Sequence, residues 1–195
     1  MGLRNSATRW GVTAQTLHWG MATLILGMFG LGWVAASWPL SKTKLQLFFW
    51  HKSIGMLLLA LVALRALWRS LDPAPPLPST MTRLEVWLAQ ASHLALYGLM
   101  AAMPLSGWVI NSAANFPFQV FGLFPLPAVV EPSKATQQLA EAVHLGLFWA
   151  LAALLTAHVA AALRHHFWLR DDILRRMLPT GRHGATPPAP PEGPR

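Results

Sequence analysis

An all-α fold, a transmembrane four-helix bundle, is predicted by three features of this 195-residue chain. Hydrophobic residues make up 54% and charged residues only 11%, against roughly 25% charged in an ordinary soluble domain. Mean hydropathy is +0.40, too apolar for a soluble surface. The apolar residues are gathered into four long stretches, each near the ~20 residues that carry a helix across a bilayer.

The first stretch runs from about Leu17 to Ala36. Arg4 and Arg9 give it a basic start, and Val34-Ala35-Ala36 resembles a signal-peptide cleavage site. The run is long for a signal, and its histidine and glycines suit a retained helix that packs. The second stretch, Leu45 to Trp68, holds Lys52 and Arg65 only near its ends, where long side chains reach the headgroups. Asp72 to Pro78 reads Asp-Pro-Ala-Pro-Pro-Leu-Pro, a stiff link that cannot be helix. The third stretch is Leu88 to Ile110 and the fourth Leu139 to Phe167. The link between them, Asn111 to Gln138, is apolar (Phe116, Phe118, Val120, Phe121, Leu123, Phe124) but proline-broken and too short to span. It is expected to form a flap at the outer interface. From Pro179 the chain is rich in Pro and Gly and is expected to be a disordered tail. Tryptophans gather near the span ends, as an interfacial belt requires.

Charge sets the orientation. With both termini cytoplasmic, the inside holds all 11 arginines and the outside all four lysines, Lys42, Lys44, Lys52 and Lys134. The positive-inside rule favours that arrangement. A net charge of +8 implies an anionic partner. In so apolar a chain that partner is the lipid bilayer's phosphate, with no nucleic acid implied. The absence of cysteine excludes disulfides, thiolate zinc, iron–sulfur clusters and covalent c-type haem.

Five of the eight histidines, His18, His51, His93, His144 and His158, fall inside the spans. Intramembrane histidine is costly and faces the bundle interior, so each is a candidate for a site. His144 and His158 are 14 residues apart. At about 100° and 1.5 Å per residue they share nearly one face and stand roughly 21 Å apart along the axis. One helix thus offers a ligand near each leaflet. His51 enters the second span at the depth at which His144 enters the fourth, and His18 lies level with His158 at the inner end. The pairs are therefore His51 with His144 outside and His18 with His158 inside. His93 is left over, as a hydrogen-bonding group or as a rival to His18.

Two imidazoles could hold zinc or copper, but such sites usually add a third or fourth protein ligand. No Asp or Glu lies in the span cores; Glu141 is only near an outer end. Two axial histidines fit b-type haem, whose porphyrin supplies four further nitrogens. Gly20, Gly27, Gly30 and Gly55 suit close approach to a macrocycle, or equally to another helix. Arg65, Arg69 and Arg164 could pair with inner propionates. Lys52 could neutralise an outer propionate or steer a small anion to the outer face. For His165 and His166 a lipid-facing place is expected, although His165 shares the face of His158.

Several stretches together resemble the bacterial cytochrome b561 family, related to the cytochrome b subunits of nickel–iron hydrogenases. They are Leu17-His18-Trp19, Trp50-His51-Lys52-Ser53-Ile54-Gly55, Arg65-Ala66-Leu67-Trp68-Arg69 and His93-Leu94-Ala95-Leu96-Tyr97. Pro104-Leu105-Ser106-Gly107, Phe121-Gly122-Leu123 and the run from His158 through His165-His166-Phe167 to Arg176-Met177-Leu178-Pro179 complete them. The resemblance covers roughly Arg9 to Pro179. One departure is Leu145 after His144, where the family often carries Glu. The resemblance implies residues 1–178 as a four-helix transmembrane domain with two haem b, on the four histidines paired above, and 179–195 as a cytoplasmic tail. It implies a bacterial inner-membrane protein moving electrons to or from the quinone pool, with quinone as substrate and superoxide as the other partner in some members. The alternative is a cytochrome subunit that anchors a periplasmic dehydrogenase or hydrogenase and wires that redox partner to quinone.

Overall fold

The structure, a computed structural model, describes residues 2–78 and 81–179. The expected tail lies, from 180 onward, outside the described residues. Among the described residues four helices are long and apolar enough to cross a membrane: α1 (Val12–Ser37), α2 (Lys42–Leu71), α3 (Arg83–Ala113) and α4 (Lys134–Arg164). At 1.5 Å per residue they are about 39–46 Å long, enough for a hydrocarbon core of about 30 Å and both headgroup layers. The fold is an all-α transmembrane four-helix bundle.

Helices α2, α3 and α4 overrun their apolar stretches and begin at polar side-chain caps. Ser41 accepts from Lys44 N, and Ser133 from Thr136 N. Thr82 and Glu85 form a reciprocal capping box at the start of α3. Arg69 and Arg164 lie in the last turns of α2 and α4, where a cation meets the negative end of the helix dipole.

Close backbone packing follows chain order, α1 on α2, α2 on α3 and α3 on α4. Helix α4 meets α1 and α2 through rings, His18 with His158, Phe29 with Phe148, and His51 with His144. A buried apolar cluster, Met21, Ile25, Leu58 and Val62, lies between α1 and α2 in the stretch between the two histidine levels, nearer that of His18.

The outer link folds into a flap. Strands β1 (Gln119–Val120) and β2 (Phe124–Pro125) pair antiparallel around a tight turn with positive φ at Phe121 and Gly122. Positive φ at both central residues matches the twist of a hairpin, but at a bulky residue such as Phe121 it costs about 1–2 kcal/mol. That conformation is held by the wholly buried Ser53, whose Oγ accepts from Phe121 N at 3.0 Å, and by the Trp50 ring 6.2 Å from that of Phe121. Trp50 and Ser53 flank His51, so the flap is registered on the helix turn that carries the outer imidazole.

At the inner end α4 runs into a π-helical turn (His165–Leu169), then Arg170 in the left-handed region, then the short α5 (Ile173–Met177). This overturns the lipid-facing expectation for His165. It is 8% exposed, and its Nδ1 pairs with Asp171 Oδ2 at 2.5 Å. Seven residues after His158, it keeps the inward face of that histidine, and the pairing with Asp171 across the π-helical turn holds it there. Helix α5 is sewn to the N-terminal segment: Trp19 Nε1 donates to Met177 O at 2.8 Å and Arg9 Nη2 to Leu178 O at 2.7 Å. Asn5 N donates to Asp72 Oδ2, and Arg176 Nη1 to Pro76 O. The N-terminal segment, the proline link and α5 thus form one floor beneath the bundle.

Candidate functional site

The two imidazole pairs expected from depth alone are brought together across the bundle. The rings of His51 and His144 have centroids 6.4 Å apart, and so do those of His18 and His158. A metal bound between two imidazoles sits about 2.0 Å from each nitrogen. Adding roughly 1.2 Å from each nitrogen to its ring centre puts the centroids about 6.4 Å apart across one metal. His93 lies nearer to His158, with ring centroids 5.5 Å apart.

Each helix contributes to both levels at the same interval of 14 residues. Helix α1 supplies His18 and Gly32, and α2 supplies His51 and Arg65; α3 supplies His93 and Gly107, and α4 His144 and His158. A methyl at Gly32 would lie 2.8 Å from His51 Cε1, and one at Gly107 would lie 3.5 Å from His144 Cε1. Arg65 Nη2 is 2.9 Å from His18 Nδ1. Fourteen residues are 40° short of four turns, so four roughly antiparallel helices hold two layers at about 21 Å separation. The sequence reasoning named other glycines. Among the described residues a methyl at Gly20, Gly27 or Gly30 would meet no neighbouring element within 4 Å, and one at Gly55 would meet Met28. Gly32 is the one pressed against an imidazole, and no local sequence signal distinguishes it.

The environments of the two pairs differ. Ser106 Oγ donates to Met103 O and lies 2.8 Å from His144 Nδ1. The hydroxyl has one proton, and Met103 takes it, so Nδ1–H donates to Ser106 and the Nε2 lone pair is free. His51 Nδ1 is buried with no hydrogen-bond partner. At the inner level Arg65 offers only donors, so His18 Nδ1 accepts and Nε2 carries the proton. Binding a metal through Nε2 there would return the proton to Nδ1 and release the guanidinium.

The remaining candidates are placed as follows. Lys52 Nζ donates to Asn111 Oδ1 at 2.7 Å and lies 4.6 Å from the Phe116 ring centre, so its charge is drawn under the flap. Arg69 stacks over Trp10 at 5.8 Å, and with Arg65, Tyr97 and Asp72 it borders a small inner cavity. Arg164 is exposed and bridges to Glu85 at 3.3 Å. Among the described residues no three His, Asp or Glu side chains are grouped to hold a bare metal ion. The arrangement fits a haem: level imidazoles at the trans-axial spacing, an α4 joined to α1 and α2 through rings rather than close backbone packing, and backbone without side chains beside two of the rings.

A helical bundle that holds paired imidazoles at two depths in a membrane, without thiolate or carboxylate companions, is built as a membrane b-type cytochrome. Comparison with known proteins agrees. Residues 9–180 match the family described as prokaryotic cytochrome b561. Cytochrome b561 homolog 2 of Escherichia coli (strain K12) is 41% identical over 187 residues, covering 91% of this chain and 95% of that protein. A protein of Yersinia pestis named probable superoxide oxidase CybB is 31% identical over 132 residues, 68% of this chain and 74% of its own length. Cytochrome b561 homolog 1 of E. coli (strain K12) is 28% identical over 184 residues, 88% of this chain and 97% of that protein. The chain belongs to the prokaryotic cytochrome b561 family: it is a bacterial membrane protein of electron transport whose cofactor is haem b.

Proposed function

We propose that this chain is a two-haem cytochrome that exchanges electrons with the quinone pool and takes them from superoxide at its outer face. His51 and His144 hold one haem b near the outer leaflet, and His18 and His158 hold the second near the inner leaflet. The observation that carries this reading is the identical 6.4 Å spacing of the two ring pairs. Each haem b would supply reversible one-electron chemistry, and a pair of histidines holding it would suit electron transfer more than oxygen binding.

The chain's own residues define the rest. Met21, Ile25, Leu58 and Val62 form an apolar cluster between the two levels. Once His18 Nδ1 keeps its proton, Arg65 is free to pair with a propionate, with Arg69 beside the same cavity. Lys52, with Lys42, Lys44 and Lys134, makes the outer face attractive to a small anion. Arginine on the opposite side places both termini in the cytoplasm. Superoxide as donor is supported by the name of the Y. pestis relative. Two superoxide anions each give up one electron and leave as dioxygen; one quinone gains the two electrons and two protons.

The test is a reduced-minus-oxidised spectrum with haem counted per chain. The expected result is two haems in the unaltered protein and one in each of His144→Ala and His158→Ala. Retention of both in either variant refutes the pairing. A superoxide pulse that fails to reduce quinone in the two-haem protein refutes the donor assignment.

A further inference from the structure

Among the described residues the Nδ1 atoms of His18, His51 and His144 are treated differently, and at His144 the protein builds a polar contact that fixes the tautomer needed for a ligand. Serine inside a helix turns its hydroxyl back to a carbonyl three or four residues earlier. Ser106 does so to Met103 O at 2.8 Å, which leaves its lone pairs outward, and His144 Nδ1 meets them at 2.8 Å. The next residue, Gly107, has no side chain to push the ring away, and a methyl there would already be in contact with Cε1 at 3.5 Å. Residues 106 and 107 of α3 therefore set both the rotation and the protonation of an imidazole on α4. His51 Nδ1 across the gap has no such partner, and His18 Nδ1 faces a donor.

We propose that Ser106 is a positioning residue that holds His144 as the Nδ1–H tautomer with Nε2 aimed at the outer haem, and that it lowers that haem's reduction potential relative to a site without the acceptor. This rests on the reading that His144 is an axial ligand. The chain runs His144 Nδ1–H to Ser106 Oγ–H to Met103 carbonyl, each bond polarising the next. An imidazole that donates Nδ1–H to an acceptor is a more basic ligand and stabilises the oxidised iron. Here a hydroxyl–carbonyl relay does what a carboxylate does at other metal-binding histidines.

The experiment compares Ser106→Ala with Ser106→Thr in the haem-loaded, full-length protein. Haem per chain, a redox titration of both centres and the low-spin electron paramagnetic resonance spectrum are the readouts. Ser106→Ala is expected to retain two haems and to shift the reduction equilibrium of one centre about tenfold towards the reduced form, ~59 mV upward for one electron. The resonance of the same centre shifts and the other centre is unmoved. Ser106→Thr, whose Oγ1 can reach the same carbonyl, restores the unaltered values. Unchanged titration and resonance in Ser106→Ala overturn the proposal, and so does the same perturbation in both variants. If His144→Ala keeps both haems, the ligand reading itself has failed, a result separate from either Ser106 outcome.

Discussion

Replacing Gly32 with alanine places a methyl group 2.8 Å from His51 Cε1, with Nδ1 at 3.3 Å and Nε2 at 3.8 Å. Carbon atoms pack best at about 3.5–4.0 Å, so the ring or the α1 backbone must give by at least about 0.7 Å. Metal sites hold their geometry to roughly 0.5 Å, so the displacement exceeds what the outer pair tolerates. Overpacking of this size costs about 1–3 kcal/mol, which weakens haem retention at the outer level by about 5- to 150-fold. The helix itself gains, because alanine replaces glycine in a helix interior with a benefit of up to about 1 kcal/mol. The bundle should therefore fold and keep its inner haem, since Gly32 lies 14 residues from His18, roughly 21 Å along α1. The assay is haem per chain with a redox titration of each centre, beside Gly20→Ala as control. Gly20 is exposed with nothing within 4 Å, and its replacement should leave both centres unaltered. Two haems at unshifted potentials in Gly32→Ala would refute the idea that this glycine seats His51.

Lys52→Met removes the charged hydrogen bond to Asn111 while keeping an apolar stem. Such bonds contribute about 1.5–3 kcal/mol, so the amides of Val120 and Phe121 should exchange with solvent at least about tenfold faster; unchanged protection would mean that Lys52 does not hold the flap. His93→Ala should keep two haems per chain, because its ring lies closer to His158 than a trans-axial pair allows. Loss of one haem would replace His18 by His93 as the inner ligand.

Both the transmembrane spans and the histidine depths were legible in the sequence. A bilayer leaves the backbone no partner but itself, so about 20 apolar residues mean a helix. Helical periodicity then fixes where each imidazole points on its own helix, and 14 residues between His144 and His158 suffice for two levels on one face. The apolar link announced a flap through its own composition. What periodicity does not carry is which residue of a neighbouring helix lies opposite. Gly32 looks like Gly20, Gly27 or Gly30 until α2 is set beside α1. Ser106 is one more helical serine until α4 brings up an Nδ1. The direction of Lys52 depends on Asn111, 59 positions away, and the burial of His165 on a π-helical turn that brings Asp171 back to it, which apolar pattern does not encode.

The sequence by itself determined the four membrane-crossing helices and the depth of each histidine along them, because these follow from helix rise and the energetics of lipid. Only the tertiary structure decided that residues 14 apart on all four helices meet at the two levels, and that the two levels have different neighbours. The reason is that lateral contacts depend on side chains interlocking across helices far apart in the chain, and no single helix records its partner's face.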